Sequence, residues 1–242
     1  MAQADWTFCA DSLGSGIVRR GATAGIPRPS GGGTGAYGFN SVDLASGAVA
    51  LFANQVSFAP MSSGGRISGA MKRLPSGGIQ GFAPFLFMSL QGDSVNDSAY
   101  MLGLGDDDPA HIILRKGTLV GGLPDLAADP PTNDILMRST DSFPEDTWVH
   151  LRMDVIEQGS GDVIVQVFQN DLDANDVTSP VWVQIAGMEG PQSPTIDGFV
   201  DDALGINTGS LPLVGGRGGF GFEVSDVTRR AAFDHLEVAR QT

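Results

Sequence analysis

Three histidines, two late tryptophans and one run of acids carry most of the chemistry open to this chain. His111, His150 and His235 are the only histidines, and Cys9 is the only cysteine. A single cysteine makes no intrachain disulfide and no thiolate metal site, so Cys9 reads as a small residue in an N-terminal strand. Asp234 and His235 set an acid beside a base. Adjacent residues of a strand point to opposite faces, so the pair is not expected to work as a dyad, and Asp234 is expected to bond nearby backbone. The stretch NDLDANDV gathers Asp171, Asp173, Asn175 and Asp176. Alternate oxygen ligands suit Ca²⁺, which makes these four the candidate metal ligands, with a solvated hairpin tip as the other reading. The pattern is not an EF-hand, because Asp176 stands where the loop needs Gly and no Glu follows at the twelfth position. Trp148 and Trp182 are the candidates for an exposed aromatic platform that would stack on a sugar; half-buried packing is their alternative.

Other motifs carry less. GRGGFG (216–221) fits G-x-G-x-x-G, but no strand leads into it and no helix follows, so no phosphate cradle is expected. NDS (96–98) fits a glycosylation acceptor and has no secretory signal before it.

The elements that must position these residues read as strands. The chain has 242 residues, 41% of them apolar and only 17% charged, with 34 glycines. That composition suits one all-β domain of strands joined by turns. Residues 1–36 are thin in apolar content, and GATAGIPRPSGGGTGAYG reads as an extended Gly/Pro-rich arm, or a first strand with a long loop. Residues 37–242 read as a single sandwich domain. GFAPFLFMSLQG is apolar on both alternating faces, as a central strand is. In WVHLRMDVI, Val149, Leu151, Met153 and Val155 alternate with Trp148, His150, Arg152 and Asp154, and Val163, Val165 and Val167 alternate after the GSG turn. Period-2 patterning this clean gives one buried and one wetter face. IDGFVDDALGI is the one place where a short helix is expected. In the closing strands, Phe220, Phe222 and Val224 share a face, and Leu236 and Val238 are expected opposite Phe233. Both strands read as central, which favours a jelly roll or Greek key over a meander.

WVHLRMDVI…GDVIVQVFQND followed by GGFGFEV…RRAAFDHLEVAR resembles the concanavalin A-like jelly roll of lectins, glucanases and laminin-G domains, over roughly residues 37–240. GAVALFANQVSFAPMSSGGRISGAMKRLPSGG with RAAFDHLEV is similar to sandwich proteins carried by tailed bacteriophages. The resemblance implies a two-sheet antiparallel sandwich and a non-enzymatic virion component, as capsid decoration, tail or fibre-associated part. Its partners would then be other virion proteins, reached through the N-terminal arm and by self-association. A carbohydrate-binding module or host-surface adhesin, with glycan partners and Ca²⁺ as its candidate cofactor, is the alternative. A glycosidase or polysaccharide lyase ranks last. The Glu-x-Asp-x-x-Glu run of such glycosidases is absent, and the histidines do not sit in a lyase motif.

Charge and termini fit this picture. The net charge of −14 disfavours nucleic acid and anionic membranes. No run of roughly 18 apolar residues suggests a membrane span, and the start MAQADWTFCADSLGSG lacks a signal-peptide pattern. The expectation is synthesis in a cytoplasm and residence in a particle.

Overall fold

The computed structural model describes residues 7–11, 18–20, 37–40, 49–53, 64–74, 82–92, 97–105, 109–118, 135–170, 177–185, 198–206, 208–224 and 230–240. Among them the strands are β1 (Thr7–Asp11), β2 (Val18–Arg20), β3 (Tyr37–Asn40), β4 (Val49–Ala53), β5 (Gly64–Leu74), β6 (Phe82–Leu90), β7 (Ser98–Leu104) and β8 (Ala110–Thr118). They continue as β9 (Ile135–Phe143), β10 (Trp148–Glu157), β11 (Val163–Asn170), β12 (Trp182–Gln184), β13 (Phe199–Asp201), β14 (Arg217–Val224) and β15 (Arg230–Arg240). All pairings are antiparallel.

Two sheets result. The seven-stranded sheet runs β1-β4-β14-β6-β7-β8-β9, and the eight-stranded sheet runs β12-β11-β10-β5-β15-β3-β2, with β13 also paired to β11. The fold is a two-sheet antiparallel jelly-roll sandwich. β14 lies between β4 and β6, and β15 between β5 and β3, so both closing strands are central. β1 and β2 fall within residues 1–36, one in each sheet.

The core fills the space between the sheets. The eight-stranded sheet contributes Ile67, Met71, Val149, Leu151, Met153, Val155, Val163, Val165 and Val167. The other contributes Leu86, Met88, Leu102, Leu104, Ile112, Leu114 and Phe220. Each buried aliphatic side chain adds about 1.5–3 kcal/mol of transfer free energy, which is what drives the two layers together. Space is tight at Gly69, where a Cβ would stand 2.6 Å from Leu236 Cδ2 of the neighbouring strand β15 and 3.1 Å from Leu86 Cδ2 of the opposite sheet.

A polar pin sits in this otherwise apolar layer. The buried Lys116 ammonium lies 2.7 Å from buried Asp201 Oδ2. It also donates to Thr208 Oγ1 at 2.9 Å, to the Ser210 carbonyl at 3.0 Å and to the Leu211 carbonyl at 2.9 Å. Tyr100 donates its hydroxyl to Asp201 Oδ2 at 2.5 Å and accepts from the Leu213 amide at 3.0 Å. Burial, the nearby Asp201 charge and that hydrogen bond push the Tyr100 phenol well above its ordinary range, so it stays a donor. The pin ties Asp201, Thr208, Ser210, Leu211 and Leu213 to β7 and β8.

Two expectations fail, each for a local reason. The stretch expected to be helical instead holds β13, which pairs Val163↔Asp201 and Val165↔Phe199 with β11. Phe199 and Asp201 face inward on either side of Val200, a strand pattern too short to stand out in sequence. The turn after it is closed by Asp202 Oδ1, which accepts from the Leu204 and Ile206 amides at 3.0 and 3.1 Å. The second failure is in β15. Phe233 and Leu236 both reach the core, with Val238 packed against it. A bulge explains this: Asp234 pairs with Ala70 and Glu237 with Ser68, so one extra residue lies on the β15 side. His235 takes φ 51 there.

Candidate functional site: a pocket of two arginines and two histidines

Because the odd-numbered residues of β10 face the core, Trp148, His150, Arg152 and Asp154 must face outward. Register then assembles a polar cluster across five strands. On β5, Ala70, Ser68 and Arg66 stand beside His150, Arg152 and Asp154. On β15, Glu237 stands beside Ser68. On β11, Phe168 stands beside Arg152, and Trp182 of β12 stands beside Asn170. Residues 177–182 fold over this face. Val177 packs with Ala70, Trp148 and Ala232, and the Val181 amide donates to Asn170 Oδ1 at 2.9 Å. Between that segment and the sheet lies a cavity of about 170 Å³, lined by Arg66, Ser68, His150, Arg152, Trp182 and Glu237 among others.

Asp154 is the organiser of the cluster. Its Oδ1 accepts from Arg66 Nε at 2.9 Å and Arg152 Nε at 2.8 Å, and its Oδ2 from Arg66 Nη2 at 3.0 Å and Arg152 Nη2 at 2.5 Å. Burial alone would raise this carboxyl. The hydrogen bonds from Arg152 and Arg66, with their charges, outweigh burial and hold it below the usual carboxylate range. In return the hydrogen bond to Asp154 raises the Arg66 guanidinium further. The Arg152 guanidinium also lies over Phe168, 4.2 Å from the ring centroid, and 5.6 Å from that of Trp182.

His150 is the unusual member. It is 1% exposed, yet among the described residues neither ring nitrogen has a hydrogen-bond partner. Its ring meets the edge of Trp182 at 4.6 Å and lies 6.3 Å from His235. Burial, and then the charge of His235, lower its pKa from 6.5 to about 4. It is therefore a neutral imidazole at pH 7, with one donor and one acceptor both unspent.

The sequence candidates divide accordingly. Trp182 borders the pocket and is half-buried. Trp148 shares its face but is 4% exposed, with the Lys72 ammonium 5.6 Å from its ring, so it offers no platform. Asp171, Asp173, Asn175 and Asp176 lie outside the described residues. Among the described residues no three His, Cys, Asp or Glu side chains converge on a metal position. Asp234 accepts from the His235 amide at 2.8 Å, the local backbone bond expected of it. His111 lies elsewhere, its Nδ1 2.8 Å from the Ser139 carbonyl. Glu157 accepts from the Gly215 amide at 2.7 Å. Sequence reasoning missed Arg66, Ser68, Arg152 and Glu237 as a group. The outward alternation of His150, Arg152 and Asp154 was the available signal.

The chemistry on offer is recognition of a polar molecule. Guanidinium edges, a neutral imidazole and an indole converge on a small space. Among the described residues no hydrogen bond joins Ser68 to either imidazole, so it is not set up as an activated nucleophile.

No family model matches the chain, and no curated protein matches it in sequence. Solved structures do match its shape. The structure described as cellulose induced protein, Cip1, superposes with a TM-score of 0.52 at 13% identity, covering 100% of this chain and 94% of that one. The exoplasmic/lumenal domain of VIP36, in its Ca²⁺/Man2-bound form, superposes with a TM-score of 0.50 at 13% identity, covering 100% and 84%. Together with the two antiparallel sheets, these likenesses identify the fold as a concanavalin A-like jelly roll.

Proposed function

We propose that this chain is a glycan-binding module that acts without chemical turnover, and that the pocket beside Trp182 is its site. The observation that carries the reading is His150: a buried imidazole with both nitrogens unspent, on the wall of an open pocket. An unmade buried hydrogen bond costs about 1–3 kcal/mol, and a hydroxyl-rich ligand would remove that cost. The fold is one that a mannose-containing ligand occupies in VIP36, which makes a sugar a natural first probe here. A glycan array read with the native chain and with Trp182→Ala tests it. Binding that the substitution abolishes supports the reading; an array with no signal from the native chain overturns it. Reading the same array with and without EDTA tests whether Ca²⁺ at Asp171, Asp173, Asn175 and Asp176 takes part.

A second reading, assembly into a bacteriophage particle, draws on a different surface. The pinned 201–213 segment and the residue after it expose Leu204 (78%), Ile206 (75%), Leu211 and Val214. Aliphatic side chains exposed together in this way suit a protein partner. Sedimentation of the full chain with Leu204→Asp and Ile206→Asp as controls tests self-association there. A native chain that is monomeric at all concentrations counts against it.

A further inference from the structure

We propose that the pocket takes one anionic sugar unit, with its carboxylate or sulfate held by Arg66 and Arg152 and an adjacent hydroxyl held by His150. This rests on the glycan-binding reading and names the substrate class.

The geometry of the two arginines points there. Two guanidiniums share one carboxylate, so the Arg66–Asp154–Arg152 group carries one positive charge beyond what Asp154 cancels. Each arginine spends its Nε and one terminal nitrogen on Asp154. The Nη1 edges remain, already oriented by the buried acid beneath them. Guanidinium edges fixed in this way suit a planar or tetrahedral oxyanion, and charge-assisted bonds to one are about twice as strong as neutral ones. Among the described residues that line the pocket, the acid opposing this is Glu237, exposed on β15 and screened by solvent.

His150 adds the sugar. A neutral imidazole offers one N–H and one lone pair, and a hydroxyl can answer either. A bare sulfate or chloride ion would supply acceptors only and would leave the imidazole acceptor unmade. The cavity of about 170 Å³ is small beside the roughly 300–1,000 Å³ of pockets that enclose a whole small molecule. It fits one ring with its charged group, the rest of a saccharide chain lying over the sheet face.

Calorimetry on the full chain at about 150 mM salt, where screening limits repulsion by the acidic surface, compares three oligosaccharide probes. These are an oligogalacturonate, a sulfated dextran oligomer and a neutral cello-oligosaccharide. One or both charged probes should bind and the neutral one should not, and binding should weaken as salt rises. Arg66→Gln, at a side chain 46% exposed, should lower affinity about tenfold or more while the chain stays folded. Glu237→Gln should tighten binding, and His150→Phe should weaken it. Should His150→Phe fail to fold, Arg66→Gln and Glu237→Gln carry the test. A neutral probe that binds as well as the charged ones overturns the anionic class and leaves glycan binding standing. Charged binding indifferent to both Arg66→Gln and Glu237→Gln also overturns the proposal. No binding to any probe, with a silent glycan array, removes both readings.

Discussion

His150→Phe turns the orphaned imidazole into a measurable pH dependence. The folded chain holds His150 with a pKa of about 4 against an ordinary 6.5, through burial first and the charge of His235 second. The sign follows from which state takes the proton. Between those two values the unfolded chain binds a proton that the folded chain refuses, so stability falls as pH falls. The slope is about 1.4 kcal/mol per pH unit, giving about 3 kcal/mol over the window. Phenylalanine keeps a ring against Trp182 and removes the titration. Urea unfolding of both proteins, in half-unit steps from pH 7 downward, isolates this group because every other titration is common to both. The variant should gain on the wild type by about 3 kcal/mol across the window, whatever its offset at pH 7. Parallel curves would mean that the folded-state imidazole takes up protons freely, and the buried, partnerless His150 would be refuted.

Asp154→Asn should cost about 3–5 kcal/mol at neutral pH for a buried shared carboxylate, less the part due to Arg66, which is screened by solvent. Asp154 has a depressed folded-state pKa, so its contribution is complete above the ordinary Asp value and lost as pH drops through the folded one. Urea midpoints should therefore converge in acid, and a loss of equal size at every pH counts against the triad. Lys116→Met should cost about 3–5 kcal/mol by leaving Asp201 buried and uncompensated, and adding Asp201→Leu should recover much of it in thermal melts. A double variant as unstable as the single one would mean that the pin does more than cancel charge. Deleting His235 should leave the core register intact, because it leaves one residue between the two pairings on β15, matching the single Gly69 between Ala70 and Ser68 on β5. It also removes a left-handed residue that costs about 1–2 kcal/mol. A deletion variant that loses near-UV circular dichroism would refute the single-residue bulge.

Strands with one clean period were legible and strands without it were not. β10 and β11 stand out because valine, leucine and methionine alternate with polar residues through Val149–Val155 and Val163–Val167. β15 is legible as a central strand from apolar residues on both faces, and β14 from Phe220, Phe222 and Val224 on one face with the bare Gly219 and Gly221 on the other. β9 was missed because ILMRSTDSF holds no alternation, and its pairing to β8 shifts register twice. β13 was missed because three residues leave no period to detect. The site was half legible. The sequence shows that His150, Arg152 and Asp154 leave the core on the same side. Which residues of β5 and β15 meet them depends on register between strands far apart in the chain, and no local pattern encodes that.

The bulge in β15 shows why the site escaped a strand-by-strand reading. In an unbroken strand with Phe233 inside, His235 and Glu237 would also point inward, and Leu236 and Val238 outward. The extra residue reverses this from Leu236 onward. Two apolar side chains gain the core, while His235 and Glu237 join the pocket. Burying Leu236 gives about 1.5–3 kcal/mol, enough to offset the left-handed backbone of His235. The apolar pattern therefore selects the bulge, and the bulge delivers the second histidine and the rim carboxylate. Packing on one face of β15 thus composes the chemistry on the other.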